Sequence, residues 1–186
     1  IEICKENSIK SLVLVEDSMT GFVTAHNRCK EAGINLVFGL RITCCNGIYD
    51  DDDSDHKIII FANNDEGCRL LYRIYSFAHT ETGKVDFGFL NSLLDDNLEL
   101  VIPFYDSFIY QNNFNYDANF IFDASFFDAT FFIESNGLPF DKILENEVLR
   151  LAEDKSVKNK FKVQKVKSIY YRNKSDFKAF QTYKMI

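Results

Sequence analysis

Apolar and polar positions in this chain switch between the period of a strand and that of a helix, and the switches mark out its elements. The first ten residues have helix-like polarity. Residues 11–15 (SLVLV) then form a short continuous apolar run, the pattern of a strand buried on both faces. Thr20 and Gly21 open a helical segment that reaches Ala32 and stops at Gly33, which suits the left-handed position after a helix. A second apolar run follows at 34–38 (INLVF), so residues 11–38 predict a strand, a crossover helix and a parallel strand.

The alternation returns after an acidic loop. Residues 57–61 (KIIIF) predict a strand, and Asn63 and Asn64 can cap a helix carrying Leu70, Leu71, Ile74, Tyr75 and Ala78 at helical spacing. A short helix is expected from Asp86, a strand over 98–104 ending at Pro103, and one or two strands within 117–134. Gly137, Leu138 and Pro139 start a helix that runs to Ala152; a last strand is expected over 161–166 and a last helix over 175–186. Strands and helices alternating in this way predict an α/β fold, either an open parallel sheet or a barrel. No linker rich in Pro, Gly or Ser interrupts the pattern, so one domain over residues 1–186 is expected.

Composition agrees with a packed core: 46% of residues are hydrophobic, 26% are charged, and Phe alone occurs 19 times. A net charge of −7 argues against a surface that grips nucleic acid by itself, so any DNA contact is expected to need help. Lys and Arg do gather over 155–178, where a local basic face is one reading and a solvated helix and strand surface the plainer one. Cys4, Cys29, Cys44, Cys45 and Cys68 form no C-x-x-C pair and are expected to be small buried thiols. With no signal-peptide pattern and no apolar run near the ~18 residues of a membrane span, a cytoplasmic protein is expected.

Candidate chemistry is sparse. Asp51, Asp53 and Asp55 take the first ligand offsets of a calcium loop, but His56 stands where that loop needs Gly and Ala62 where it needs Glu, so a solvated acidic loop is expected. His26, His56 and His79 show no metal-ligand spacing; His26 and His79 fall on a helix and near a helix end. No phosphate-binding Gly-rich loop and no G-x-S-x-G elbow is present, and nothing in the spacing of Ser, Cys and His singles out a nucleophile.

In order along the chain, residues 12–21 (LVLVEDSMTG), 29–39 (CKEAGINLVFG), 56–67 (HKIIIFANNDEG), 131–139 (FFIESNGLP) and 163–186 resemble segments of the polymerase-and-histidinol-phosphatase (PHP) domain of bacterial DNA polymerase III alpha subunits. Residues 12–21 (LVLVEDSMTG) are similar to the family's L-A-L-T-D-H-x-x-M-x-G, shortened by one residue, and 29–39 (CKEAGINLVFG) to C-K-x-A-G-I-K-P-I-I-G-C-E. Residues 56–67 (HKIIIFANNDEG), with Leu70 and Leu71 after them, resemble H-L-x-x-L-A-x-N-x-x-G-Y-x-N-L, the most specific of these motifs. Residues 86–94 resemble the family's helix before a strand that ends in a small turn, here 103–107. Residues 131–139 (FFIESNGLP) are similar to Y-L-E-x-x-x-H-G-L-P, and 163–186 to the family's closing V-A-T-N-D-V-H-Y segment. The likeness spans nearly the whole chain apart from 112–128. It implies a distorted (β/α)7-type PHP barrel whose N-terminal H-x-H strand is missing from this chain, with upstream residues expected in the parent and an open sheet edge that lowers stability.

Active members of that family hold a trinuclear metal centre, and the departures fall on its ligands. By this resemblance Glu16 and Asp17 stand in the places of an Asp and a His, Arg41 in that of a Glu, and Asn136 in that of a His. Ser168 and Tyr170 replace a D-x-H pair, and Phe180 a further His. Divalent ions need imidazole or anionic oxygen donors, and a guanidinium at ~4 Å repels them by several kcal/mol at an effective dielectric of about 20. The resemblance therefore implies a catalytically inactive PHP domain with no catalytic residue, metal or other cofactor in this chain. It would scaffold a DNA-directed DNA polymerase whose nucleotidyltransferase chemistry lies in other domains, and dock a proofreading exonuclease in DNA replication. Expected partners are the remaining domains of the alpha subunit and the exonuclease subunit, with DNA met only through the assembled polymerase and no membrane. The competing expectations are a metal-dependent phosphoesterase or 3′-5′ exonuclease with an altered ligand set, and a free-standing interaction protein. The Phe-rich residues 114–132 are either core or a surface covered by a partner.

Overall fold

The computed structural model describes residues 1–49, 55–80, 82–114, 128–153 and 161–184, the side chains of 180, 181, 183 and 184 excepted. After a short helix α1 (Glu2–Glu6), strand β1 (Ser11–Glu16) leads through α2 (Phe22–Glu31) to β2 (Asn35–Cys45), and β1 and β2 pair in parallel as their spacing predicts. Gly33 does end α2: it takes φ +68°, and Ile34 N–H turns back to the carbonyl of Cys29 at 2.9 Å. β1 is not buried on both faces. It pairs only with β2 among the described residues, so as an edge strand it turns alternate side chains outward and leaves Val13 60% exposed.

β2 runs on past Phe38, alternating Leu40, Ile42 and Cys44 with Arg41 and Thr43, and β3 (His56–Ala62) returns antiparallel to it. An all-parallel sheet is thereby ruled out. The ten residues between β2 and β3 include no helix among those described, so the chain turns back along its own strand as a hairpin does. Helix α3 (Asp65–Thr80) starts where predicted, with Asn64 Oδ1 accepting from Gly67 N–H at 2.9 Å. The two-residue β4 (Val85–Asp86) lies beside the end of β2, and Asp86 caps α4 (Phe87–Asn91) by accepting from Phe89 N–H at 2.7 Å. Next come β5 (Leu98–Ile102), the unpredicted helix α5 (Phe108–Phe114), β6 (Ala129–Ile133), α6 (Asp141–Ala152) and β7 (Phe161–Lys165). A 3₁₀ turn at Lys174–Asp176 leads into α7 (Phe177–Lys184).

The strand order is β1-β2-β3-β5-β6-β7, and only β3 opposes the rest. This mixed sheet curls into a half-barrel. Helices α3 to α6 share one face of it: Leu71 and Ile74 of α3, Leu90 of α4, Ile109 of α5 and Leu144 of α6 pack with Leu40, Ile60, Leu100 and Phe131 from alternate strand positions. The opposite face holds a smaller cluster of Ile59, Phe61 and Val101, in which the Phe61 ring lies against Gly39 where a Cβ would stand. Of the Phe-rich stretch, 115–127 lies outside the described residues, Phe131 is core and Phe114 is exposed; the acidic residues 50–54 also lie outside.

Candidate functional site

Because every strand but β3 points the same way, the residues that follow β1, β5, β6 and β7 collect at one end of the sheet, where α/β folds place their ligands. Asp17 follows β1 directly. Its carboxylate accepts two hydrogen bonds from Arg41 of β2, from Nε at 2.6 Å and from a terminal guanidinium nitrogen at 3.0 Å. The other terminal nitrogen reaches Asp106, in the turn after β5, at 3.4 Å. The register explains the pairing: Glu16 lies opposite Leu40, so the next residue of each strand is brought alongside. The hydrogen bond to Asp17 holds Arg41's pKa above its ordinary value, against the opposing effect of burial, and Tyr170 adds a smaller contribution in the same direction.

A second set of groups lies after β6. Glu134 is buried, and its carboxylate accepts from Ser168 Oγ at 2.9 Å and from Ser168 N–H at 3.4 Å, tying the segment after β7 to the end of β6. Asp141, the first residue of α6, accepts through one oxygen from the N–H groups of Asn136, Gly137 and Leu138 at 3.0 Å each, and through the other from Tyr105 Oη at 2.9 Å. Burial, followed by that hydrogen bond, pushes the Tyr105 phenol up to about 12. Gly137 takes φ +78° and so lets the turn fold back onto Asp141.

Of the positions that the sequence marks, the structure joins Asp17 to Arg41 and sets Tyr170 near enough to act on Arg41 electrostatically. It anchors Ser168 on Glu134 and Asn136 on Asp141. Glu16 ends β1 with its side chain exposed, and Phe180 falls on α7 with its side chain outside the described set. Sequence reasoning missed Tyr105, Asp106, Glu134 and Asp141 as members of this end of the sheet. Position just beyond a predicted strand is the signal that could have found the first three.

A permanent cation sits between Asp17 and Asp106, the Ser168 hydroxyl and the Asn136 backbone N–H donate to carboxylates, and among the described residues no group of three or more His, Cys, Asp or Glu is placed to hold a metal. The four carboxylates of Asp17, Asp106, Glu134 and Asp141 each accept a hydrogen bond here. Elsewhere, His56 is buried between the rings of Phe87 and Phe108, while His26 and His79 are exposed on helices. His79 Nδ1 lies 3.0 Å from the Tyr75 carbonyl in the last turn of α3. Cys4, Cys29, Cys44 and Cys45 are buried free thiols, and Cys68 is half-buried. Comparison of the chain with models of known protein families gives no match, and comparison with curated proteins gives none.

Proposed function

We propose that this chain is a non-catalytic PHP-type domain of a replicative DNA polymerase III alpha subunit, one that braces the polymerase and docks a proofreading exonuclease. The observation that carries this reading is the Arg41 guanidinium bound between Asp17 and Asp106 at the C-terminal ends of the strands. The resemblance aligns Asp17 and Arg41 with ion ligands of the family, and here an internal cation takes up the carboxylates' charge. The half-barrel, with helices on one face, suits part of a distorted (β/α)7-type barrel. Polymerisation then belongs to other domains of the parent enzyme, and DNA is met through the assembled polymerase in the cytoplasm.

Two measurements on the purified chain test this. Incubated with Mn²⁺ or Zn²⁺ and desalted, it should retain far less than one ion per chain by mass spectrometry and release no nucleotides from a 3′-labelled DNA. Stoichiometric metal together with nucleotide release would establish the alternative, a phosphoesterase or 3′-5′ exonuclease with an altered ligand set. The exonuclease subunit of the same replication machinery should bind the chain in a pull-down, and failure to bind would remove the scaffold role.

A further inference from the structure

The net acidity of the molecule conceals a separation of charge. Residues 161–184 carry seven Lys and Arg against a single Asp, whereas the remainder carries 14 against 27 Asp and Glu. In the basic segment β7 pairs only with β6 among the described residues and a turn follows it, and Lys162, Lys165, Lys167, Arg172, Lys174 and Lys178 are all exposed. Lys165 and Arg172 reach Glu145 and Glu6, at 3.9 and 2.9 Å; among the described residues, Lys167, Lys174 and Lys178 have no carboxylate within ion-pair distance.

Large apolar groups stand between these cations. Ile169 is 83% exposed and Tyr170 55%, and Tyr171 and Phe177, with ring centroids 5.8 Å apart, are exposed beside them. The backbone that presents them is fixed at several points. Val166 N–H donates to the Ile133 carbonyl at 2.9 Å, Ser168 is held on Glu134, and Asn173 and Asp176 form a reciprocal capping box. Lysines on an edge strand also discourage strand-to-strand association, which accounts for Lys162 and Lys165. It leaves unexplained the rings and the cations past the end of β7. Alternating cations and exposed rings match alternating phosphates and bases, whereas an acidic polypeptide would satisfy the lysines and leave the rings uncovered.

We infer that residues 161–178 form a contact for a single nucleic-acid strand, with phosphates against Lys167, Lys174 and Lys178 and a base against Tyr170. The contact goes beyond the scaffold reading, in which DNA is met only through the assembled enzyme, and does not depend on it. Fluorescence anisotropy of the full chain with a labelled oligo-dT of about 20 nucleotides tests it. Binding at about 50 mM salt should weaken by about 200 mM with a log–log slope near −2, the value for about three phosphates. The combined variant Lys167→Glu, Lys174→Glu, Lys178→Glu should lose at least about tenfold in affinity and flatten that slope. Tyr170→Ala should lose about tenfold with the slope unchanged, and Tyr170→Phe should bind as the parent does. Circular dichroism checks that each variant is folded. If a variant fails to fold, the slope of the unaltered chain and competition by poly-glutamate decide the matter. Absence of binding at low salt, or folded charge variants that bind as the parent does, would overturn the inference. So would poly-glutamate displacing oligo-dT as well as oligo-dT itself, which would mark the surface as a seat for an acidic polypeptide.

Discussion

Arg41 is held by two carboxylates that follow strands far apart in sequence, and with both carboxylates exposed the pairing has the worth of a well-formed surface ion pair. Arg41→Ala should lower the unfolding free energy by about 1 kcal/mol, read from the urea midpoint, because Asp17 and Asp106 keep their charges and stay solvated. Arg41→Lys should recover part of the loss, since an ammonium keeps the charge but cannot form the forked bond to Asp17. Tyr105 gives a pH-dependent counterpart. Folding raises its pKa from 10.0 to about 12, so the neutral phenol favours the folded state at every pH below about 10, and this contribution is lost as pH climbs through about 12. Tyr105→Phe should cost about 1 kcal/mol at neutral pH through the lost hydrogen bond to Asp141, and that cost should shrink as pH climbs from 10 towards 12 in paired urea titrations. Arg41 was legible as a cation in a place where the resembled family has an anion. Its two acceptors were not, because the bonds cross 24 and 65 residues and depend on which strands become neighbours.

At the scale of elements, local signals did most of the placing. Asn64 caps α3 and Asp86 caps α4 as their sequence positions suggest, and Gly33 closes α2 in the left-handed region. Gly67 shows what such signals leave out. It sits in the first turn of α3, and a Cβ there would run into the Asn97 carbonyl oxygen and come within 3.2 Å of the Ala62 backbone. Gly67→Ala should accordingly cost about 2–4 kcal/mol, because backbone on both sides has to move. Asn64→Ala should cost only about 1 kcal/mol, the value of a lost cap. Thermal unfolding of the two variants side by side would expose the difference. β2 was legible further than its apolar run: Leu40, Ile42 and Cys44 continue the alternation through Gly39, a residue that looks like a stop until Phe61 is seen lying over it. The short helix α5 carries too few periodic positions to stand out from the aromatic-rich residues around it.

For the whole molecule, the decisive feature is a sheet with a deeply buried centre and two unequal edges. β3 and β5 are flanked on both sides and covered by helices, whereas β1 exposes alternate side chains and β7 most of its own. Native-state hydrogen exchange should find the slowest amides in β2, β3 and β5 and the fastest strand amides in β7, with β1 between them. Equal protection across the sheet would contradict this ordering. The separation of acidic and basic surface belongs to the same scale, since it is set by which edge the last strand occupies. From the sequence alone came the positions of most strands and helices, their caps and the α/β class, because periodicity and end signals act over a few residues. The reversal of β3, the gathering of helices on one face and the meeting of Asp17, Arg41 and Asp106 were settled only in the tertiary structure. Those outcomes turn on which strands pair and in which direction, and that choice is made by burying the whole apolar set at once rather than by any one segment.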